Sequence, residues 1–127
     1  MYERKIPKPL DCGVGIMMEI IGGKWKPCLI FNIHNGIRRP GELQKMNPAA
    51  SRRVLTQQLN ELEEHGVVRR VVYATVPPKV EYYLTDFGNT LVPVIVNMER
   101  WGLQHMDKVL DLMAAKKESR VVDKQPY

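Results

Sequence analysis

The chain has 127 residues and a formal net charge of +5, with 44% hydrophobic and 26% charged residues. That length suits one domain, and the composition is that of a globular protein rather than a fibrous or low-complexity one. No apolar run approaches the roughly 18 residues that span a bilayer, and no apolar stretch follows Arg4, Lys5 and Lys8 as it would in a secretory signal. A cytoplasmic location with no membrane partner is therefore expected. Cys12 and Cys28 make neither a disulfide framework nor, with the scattered His34, His65 and His105, a metal set, so no metal or cofactor is expected. The excess positive charge favours a polyanionic partner, nucleic acid, over a merely basic soluble surface, which is the alternative.

In chain order, residues 1–11 are polar, contain Pro7 and Pro9, and read as an extended arm. Val14, Met17, Met18 and Ile21 follow helical spacing until Gly22-Gly23. A second helix starts near Trp25 with Pro27 in its first turn, turns Leu29, Ile30 and Ile33 inward, and stops at Asn35-Gly36. Cys28 is expected among its core residues. A short third helix begins at Pro40 and closes at Asn47-Pro48. Ser51 then caps a helix to His65 on which Leu55, Leu59 and Leu62 form one apolar stripe, and Gly66 ends it. A short helix, a tight connection and an amphipathic helix make a helix-turn-helix pattern.

After Gly66 the period changes. Val67 to Ala74 is rich in β-branched residues, and Val80, Tyr82 and Leu84 alternate with Glu81 and Tyr83; Pro77 and Pro78 stiffen the loop between them. The spacing predicts a two-stranded hairpin. Thr85 or Asp86 then caps a long helical stretch carrying Phe87, Leu91, Ile95, Met98, Trp101, Val109 and Met113 at every third or fourth position. A slip falls around Gly102, and Pro93 should kink or divide the helix early. Periodicity is lost over 114–127. The fold class predicted is mainly α with a small antiparallel β-hairpin: a winged helix-turn-helix with additional N- and C-terminal helices.

With the leucine stripe turned to the core, the Ser51–His65 helix points Arg53, Gln57, Asn60 and Glu64 outward, with Arg52 and Thr56 on one shoulder. Arg pairs bidentately with guanine and Gln or Asn with adenine in the major groove. Ser51 and the first N–H groups of the helix suit a phosphate. Arg52 and Arg53 at the start and Glu61, Glu63 and Glu64 at the end each oppose the helix macrodipole, by about 0.3–1 kcal/mol when unscreened. That ordering makes sense if the leading end meets phosphate; the competing reading pairs the two arginines with nearby carboxylates on a solvated face. Lys79, with Thr75 and Tyr73, stands at the wing for backbone or minor-groove contact, or as a plain exposed turn. Arg38 and Arg39 suit flanking phosphates or a soluble loop. No nucleophile–base pair, phosphate-cradling glycine loop or metal cluster argues for an enzyme.

Cys12, Ile21-Gly22-Gly23-Lys24-Trp25, Arg38-Arg39, Glu42-Leu43, Ser51, Leu55-Thr56-Gln57, Leu59, Glu61-Leu62-Glu63, Gly66, Val72-Tyr73, Val76-Pro77-Pro78-Lys79-Val80-Glu81-Tyr82, Leu84-Thr85, Gly88, Leu91, Pro93 and Trp101-Gly102 together resemble the HxlR family over about residues 12–102. The resemblance implies a transcriptional regulator acting as a homodimer on double-stranded DNA with a two-fold symmetric operator. Repression is favoured over activation because the sequence shows no separate activation surface. It places the dimer interface on the terminal helices, here Met17, Met18, Leu91, Ile95, Met98, Trp101, Met106, Val109 and Met113. It also makes Cys12 the position of a thiol sensor. Lys5, Lys8 and a helix start favour reactivity at that thiol, Asp11 opposes it, and an unused cysteine is the alternative. An oxidant or a small apolar ligand is the effector expected. The sequence departs from the family at Gly13, Pro40 and Arg52, so an operator cannot be borrowed from relatives. The division expected is a flexible arm at 1–11, an HxlR-type winged-helix domain with dimerisation helices at 12–113, and a flexible tail at 114–127. A winged-helix protein-interaction module without DNA affinity is the alternative function.

Overall fold

The computed structural model describes residues 12–123, with side chains described to Glu118. Helix α1 (Gly13–Ile21) is capped by Cys12, whose Sγ accepts a hydrogen bond from the Gly15 N–H at 3.3 Å. Helix α2 (Lys26–His34) holds Pro27 in its first turn, where no N–H partner is needed. Helix α3 (Pro40–Met46) is short, and α4 (Arg52–Glu64) is capped by the Ser51 hydroxyl, which accepts from the Val54 N–H at 3.1 Å. Strands β1 (Val68–Tyr73) and β2 (Lys79–Leu84) pair antiparallel, from Val68 opposite Leu84 to Tyr73 opposite Lys79. Helices α5 (Asp86–Asn89), α6 (Val92–Gln104) and α7 (Met106–Asp123) follow.

Helices α2 and α4 stop by the same device. In α4 the Val67 N–H bonds the Leu62 carbonyl and the Gly66 N–H that of Glu63; in α2 Ile37 and Gly36 do likewise to Asn32 and Ile33. This double closure requires a left-handed residue just past the cap, and Gly66 and Gly36 supply it at φ 73° and 92°. The chain then turns straight into the hairpin after α4 and towards α3 after α2.

Contacts divide the chain after Ile95 into two compact units. The core of the first gathers Leu29, Ile30 and Ile33 of α2, Leu43 of α3, Leu55, Leu59 and Leu62 of α4, and Val67, Val68 and Tyr82 of the hairpin. Each fully buried Leu or Ile contributes about 1.5–3 kcal/mol over its exposed state. Three polar side chains, Lys26, Asn32 and Asn47, are buried beside them and each has a partner. Asn47 donates from Nδ2 to Asn32 Oδ1 at 2.9 Å and to the Leu43 carbonyl at 2.8 Å, locking the end of α3 to α2. Lys26 lies 2.5 Å from Glu61 Oε2, joining the start of α2 to α4.

Four expectations are corrected. Leu91 and Ile95, assigned to a dimer interface, are 7% and 3% exposed within the core of this same chain; Met17 is half-buried against that core as well. Phe87, by contrast, is exposed. Cys28 is exposed and not a core residue. The reason is helical phase: α2 buries Lys26, Leu29, Ile30, Asn32 and Ile33, which puts position 28 on the opposite face at 100° per residue. Finally, helix α7 continues to Asp123. Ala114, Ala115, Lys116, Lys117 and Glu118 are strong helix formers, so an exposed helix needs no apolar period there. The arm 1–11 and residues 124–127 lie outside the described residues.

The division of the long C-terminal stretch falls early, as Pro93 predicts. Pro93 is the second residue of α6, where its missing N–H is harmless. The second unit holds the remainder of α6 and α7. The slip expected around Gly102 falls at His105 between them, where the imidazole stacks on Trp101 with centroids 4.5 Å apart. Met98, Trp101, Leu103, Met106, Leu110, Leu112 and Met113 are exposed, while Val109 is half-buried. Among the described residues no helix is long and apolar enough to cross a membrane.

Candidate nucleic-acid interface

The placement of α4 follows from its leucine stripe and from two polar ties to α2. With Leu55, Leu59 and Leu62 in the core, Gln58 Oε1 accepts the Trp25 N–H at 2.9 Å, filling a partner that the start of α2 lacks in its own side chains. Glu61 meets Lys26 one turn on, and the hydrogen bond from Lys26 holds its carboxyl below the usual range despite the opposing effect of burial. Glu61 thus answers a buried ammonium on α2. It is spent on packing, which leaves the arginines at the other end of α4 without it.

The opposite face of α4 is open. Arg53, Thr56, Gln57 and Asn60 are exposed and, with Glu61 and Glu64, line a shallow depression of about 590 Å³. Among the described residues neither Arg52 nor Arg53 forms an ion pair with a carboxylate. The competing reading of that face, arginines held by local acids, therefore finds no such pair. Ser51 is exposed as well; its hydroxyl oxygen accepts the Val54 N–H as the helix cap, which leaves the O–H able to donate to a phosphate beside the first N–H groups of the helix.

A second group converges from three elements. Arg39 and Pro40 at the start of α3, Arg52 at the start of α4, and Thr75 to Val80 of the hairpin loop line one groove of about 520 Å³. Thr75 donates to the Pro77 carbonyl at 2.8 Å, ordering the loop, and Val76 at its tip is fully exposed. Arg39, Arg52, Thr75 and Lys79, separated by up to 40 positions in the chain, thus share a site that spacing could not show.

Two predicted residues are otherwise engaged. Arg38 is half-buried with its guanidinium 4.4 Å from the Tyr83 ring centroid, and its carbonyl accepts the Tyr82 N–H at 2.9 Å. The Tyr73 hydroxyl lies 3.1 Å from that of Tyr83, and this hydrogen bond, with partial desolvation, pushes the Tyr73 phenol up to about 12. Tyr83, Glu81 and Arg69, which pack with these two, are not among the site residues expected from the sequence. Strand alternation was the signal that could have found them, since register places Arg69 opposite Tyr83, Val71 opposite Glu81 and Tyr73 opposite Lys79. Cys12 is exposed at the head of α1.

A tri-helical core, an outward second helix and a hairpin wing beside its leading end define a winged helix-turn-helix protein of the DNA-binding, transcription-regulating class. A family model for the HxlR-like helix-turn-helix matches residues 20–110. The chain is 49% identical over 106 residues to the HTH-type transcriptional regulator YdeP of Bacillus subtilis, covering 84% of this chain and 83% of that one. Among solved structures it is similar to the redox regulator HypR. In the reduced form the TM-score is 0.73 at 43% identity, covering 79% of this chain and 99% of that one; in the oxidised form it is 0.71 at 46%, covering 73% and 96%. The chain belongs to the HxlR-like helix-turn-helix family.

Proposed function

We propose that this protein represses transcription as a homodimer that reads a palindromic operator in the cytoplasm, with Arg53, Thr56, Gln57 and Asn60 facing base edges. Arg39, Arg52, Thr75 and Lys79 hold the flanking backbone, and Arg38 and Tyr73 shape the wing that carries Thr75 and Lys79. The observation behind this reading is the open outer face of α4, whose arginines are not spent on protein carboxylates, set beside a basic groove at the wing. A second copy covers the exposed Met18, Met98, Trp101, Met106 and Met113, apolar side chains that water would otherwise solvate. Selection of binding sites from a randomised duplex library tests it. The expected result is an inverted repeat with half-site centres about 10–10.5 base pairs apart or a multiple of that. No enrichment would overturn operator reading and favour a protein-interaction module.

Oxidation of the Cys12 thiol is the signal this reading assigns, supported by the exposure of that residue and by the likeness to HypR. Treatment with hydrogen peroxide should change operator affinity at least about tenfold, which is roughly 1.4 kcal/mol, and Cys12→Ser should abolish the response. A response that survives in Cys12→Ser and disappears in Cys28→Ser would assign the sensor to the other exposed thiol.

A further inference from the structure

Glu81 is the single acidic residue in the hairpin segment 68–84, among Arg69, Arg70 and Lys79. It stands on the outward face of the wing, across from Val71 and two positions from Lys79. Its Oε1 accepts a hydrogen bond from the Tyr83 hydroxyl at 3.0 Å, which in turn meets the Tyr73 hydroxyl. Its other oxygen, Oε2, lies 4.0 Å from Lys79 Nζ. Lys79 is also drawn over the Tyr73 ring at 5.4 Å. Burial pushes the Glu81 carboxyl up, but Tyr83, Tyr73, Lys79 and Arg39 outweigh it and hold the group below the usual carboxylate range. The carboxylate is therefore fixed by one oxygen while the other faces the ammonium that lines the wing groove.

We propose that Glu81 is a counter-charge built into the wing, which occupies Lys79 until a correctly placed phosphate displaces it and so sets the discrimination between operator and bulk DNA. This rests on the DNA-binding reading above. The separation of 4.0 Å exceeds the 2.7–2.9 Å of a committed charge-assisted bond, so Lys79 is restrained but exchangeable. Non-specific DNA binding comes almost wholly from phosphate neutralisation and counterion release. A phosphate held at one position by base reading on α4 competes well with Glu81, whereas the averaged phosphates of random DNA compete poorly. An acid placed against the wrong encounter raises specificity at the expense of total affinity. The tyrosine pair has a place in this account, because it holds the carboxylate in position without neutralising it.

The test is Glu81→Gln, which keeps an oxygen to accept from Tyr83 and removes only the charge. Binding to sheared mixed-sequence duplex DNA is measured between about 50 and 200 mM salt, with thermal unfolding alongside. Glu81→Gln is expected to bind mixed-sequence DNA about three- to tenfold tighter at the low-salt end, with a log–log salt slope steeper by about 0.9, as one more phosphate is engaged. Lys79→Ala should make the slope on the selected operator shallower by about 0.9 while changing that on mixed-sequence DNA little, and Lys79→Ala/Glu81→Gln should lose the gain that Glu81→Gln shows on mixed-sequence DNA. An unchanged slope in Glu81→Gln, with or without a lower Tm, overturns the proposal and leaves Glu81 a strand-pairing residue. Absence of any salt-dependent binding by the unmodified protein would overturn the DNA-binding reading itself, a result distinct from the first.

Discussion

Arg53→Ala and Gln57→Ala, each measured against the selected operator and a scrambled duplex, should lose operator preference while the protein stays folded. Both side chains are exposed one turn apart on α4, on the face away from Leu55, Leu59 and Leu62. Each bidentate base contact carries about 1–3 kcal/mol of discrimination, which is about 5- to 150-fold in relative affinity. Because the two are neighbours on one helix face, their effects should not add fully. Neither touches the core, so stability should stay within about 0.5 kcal/mol of the unmodified protein. Fluorescence anisotropy on the two duplexes measures the first effect and thermal unfolding the second. An unaltered preference in both variants would mean that a different face of the protein reads the bases.

The largest effect on stability is expected from Gly88→Ala in α5. A Cβ at this position would stand 2.1 Å from the Val67 carbonyl oxygen and 3.0 Å from the Val67 carbonyl carbon. Neither atom can retreat cheaply. The Val67 carbonyl accepts the Thr85 N–H at 3.0 Å, and the Thr85 hydroxyl spans the carbonyls of Gly66 and Val67 while accepting the Gly88 N–H at 2.9 Å. This knot joins the end of the hairpin to the turn that immediately follows α4, so a methyl group must break it or push α5 off β1. Overpacking against fixed backbone belongs at the upper end of its usual range, about 3 kcal/mol or more, and should lower Tm by roughly 10–20 °C. An unchanged Tm would show that α5 can be displaced without cost. Gly88 is recognisable in the sequence only as a glycine after a helix cap; the close approach that demands it is a tertiary fact.

How far the chain could be read without its structure varies by element, and the reason is similar each time. Helix α4 was legible in full, from the Ser51 cap through its leucine stripe to the Gly66 stop, because one apolar face and two strong terminal signals agree. Helix α2 was legible in extent but not in phase. Lys26 and Asn32 are buried in polar contacts with Glu61 and Asn47, so its buried face is marked by polar residues that periodicity counts as exposed, and Cys28 was assigned to the wrong side. Leu91 and Ile95 show a related failure. Their spacing marks an apolar face correctly, but spacing does not say whether the cover comes from the same chain or from another, and here it is the chain's own core.

The amino-acid sequence by itself determined the order of elements, the caps, the outward face of α4 and the hairpin with its rigid loop. These depend on local dihedral preference and on a period that repeats within ten or fifteen residues. Only the tertiary structure decided that Arg39, Arg52, Thr75 and Lys79 share one groove, that Arg38 is held on Tyr83, and that Glu81 faces Lys79 on the outer side of the wing. The groove, and the seat of Arg38 on Tyr83, depend on how the turns after α2 and α4 aim segments dozens of residues apart at one another. The pairing of Glu81 with Lys79 and the tyrosines depends instead on the register of the hairpin and on the rotamers chosen on its outer face. Strand alternation does put Lys79, Glu81 and Tyr83 on one face, but neither the groove nor the cross-strand contacts and rotamers are carried by a local pattern of apolar and polar residues.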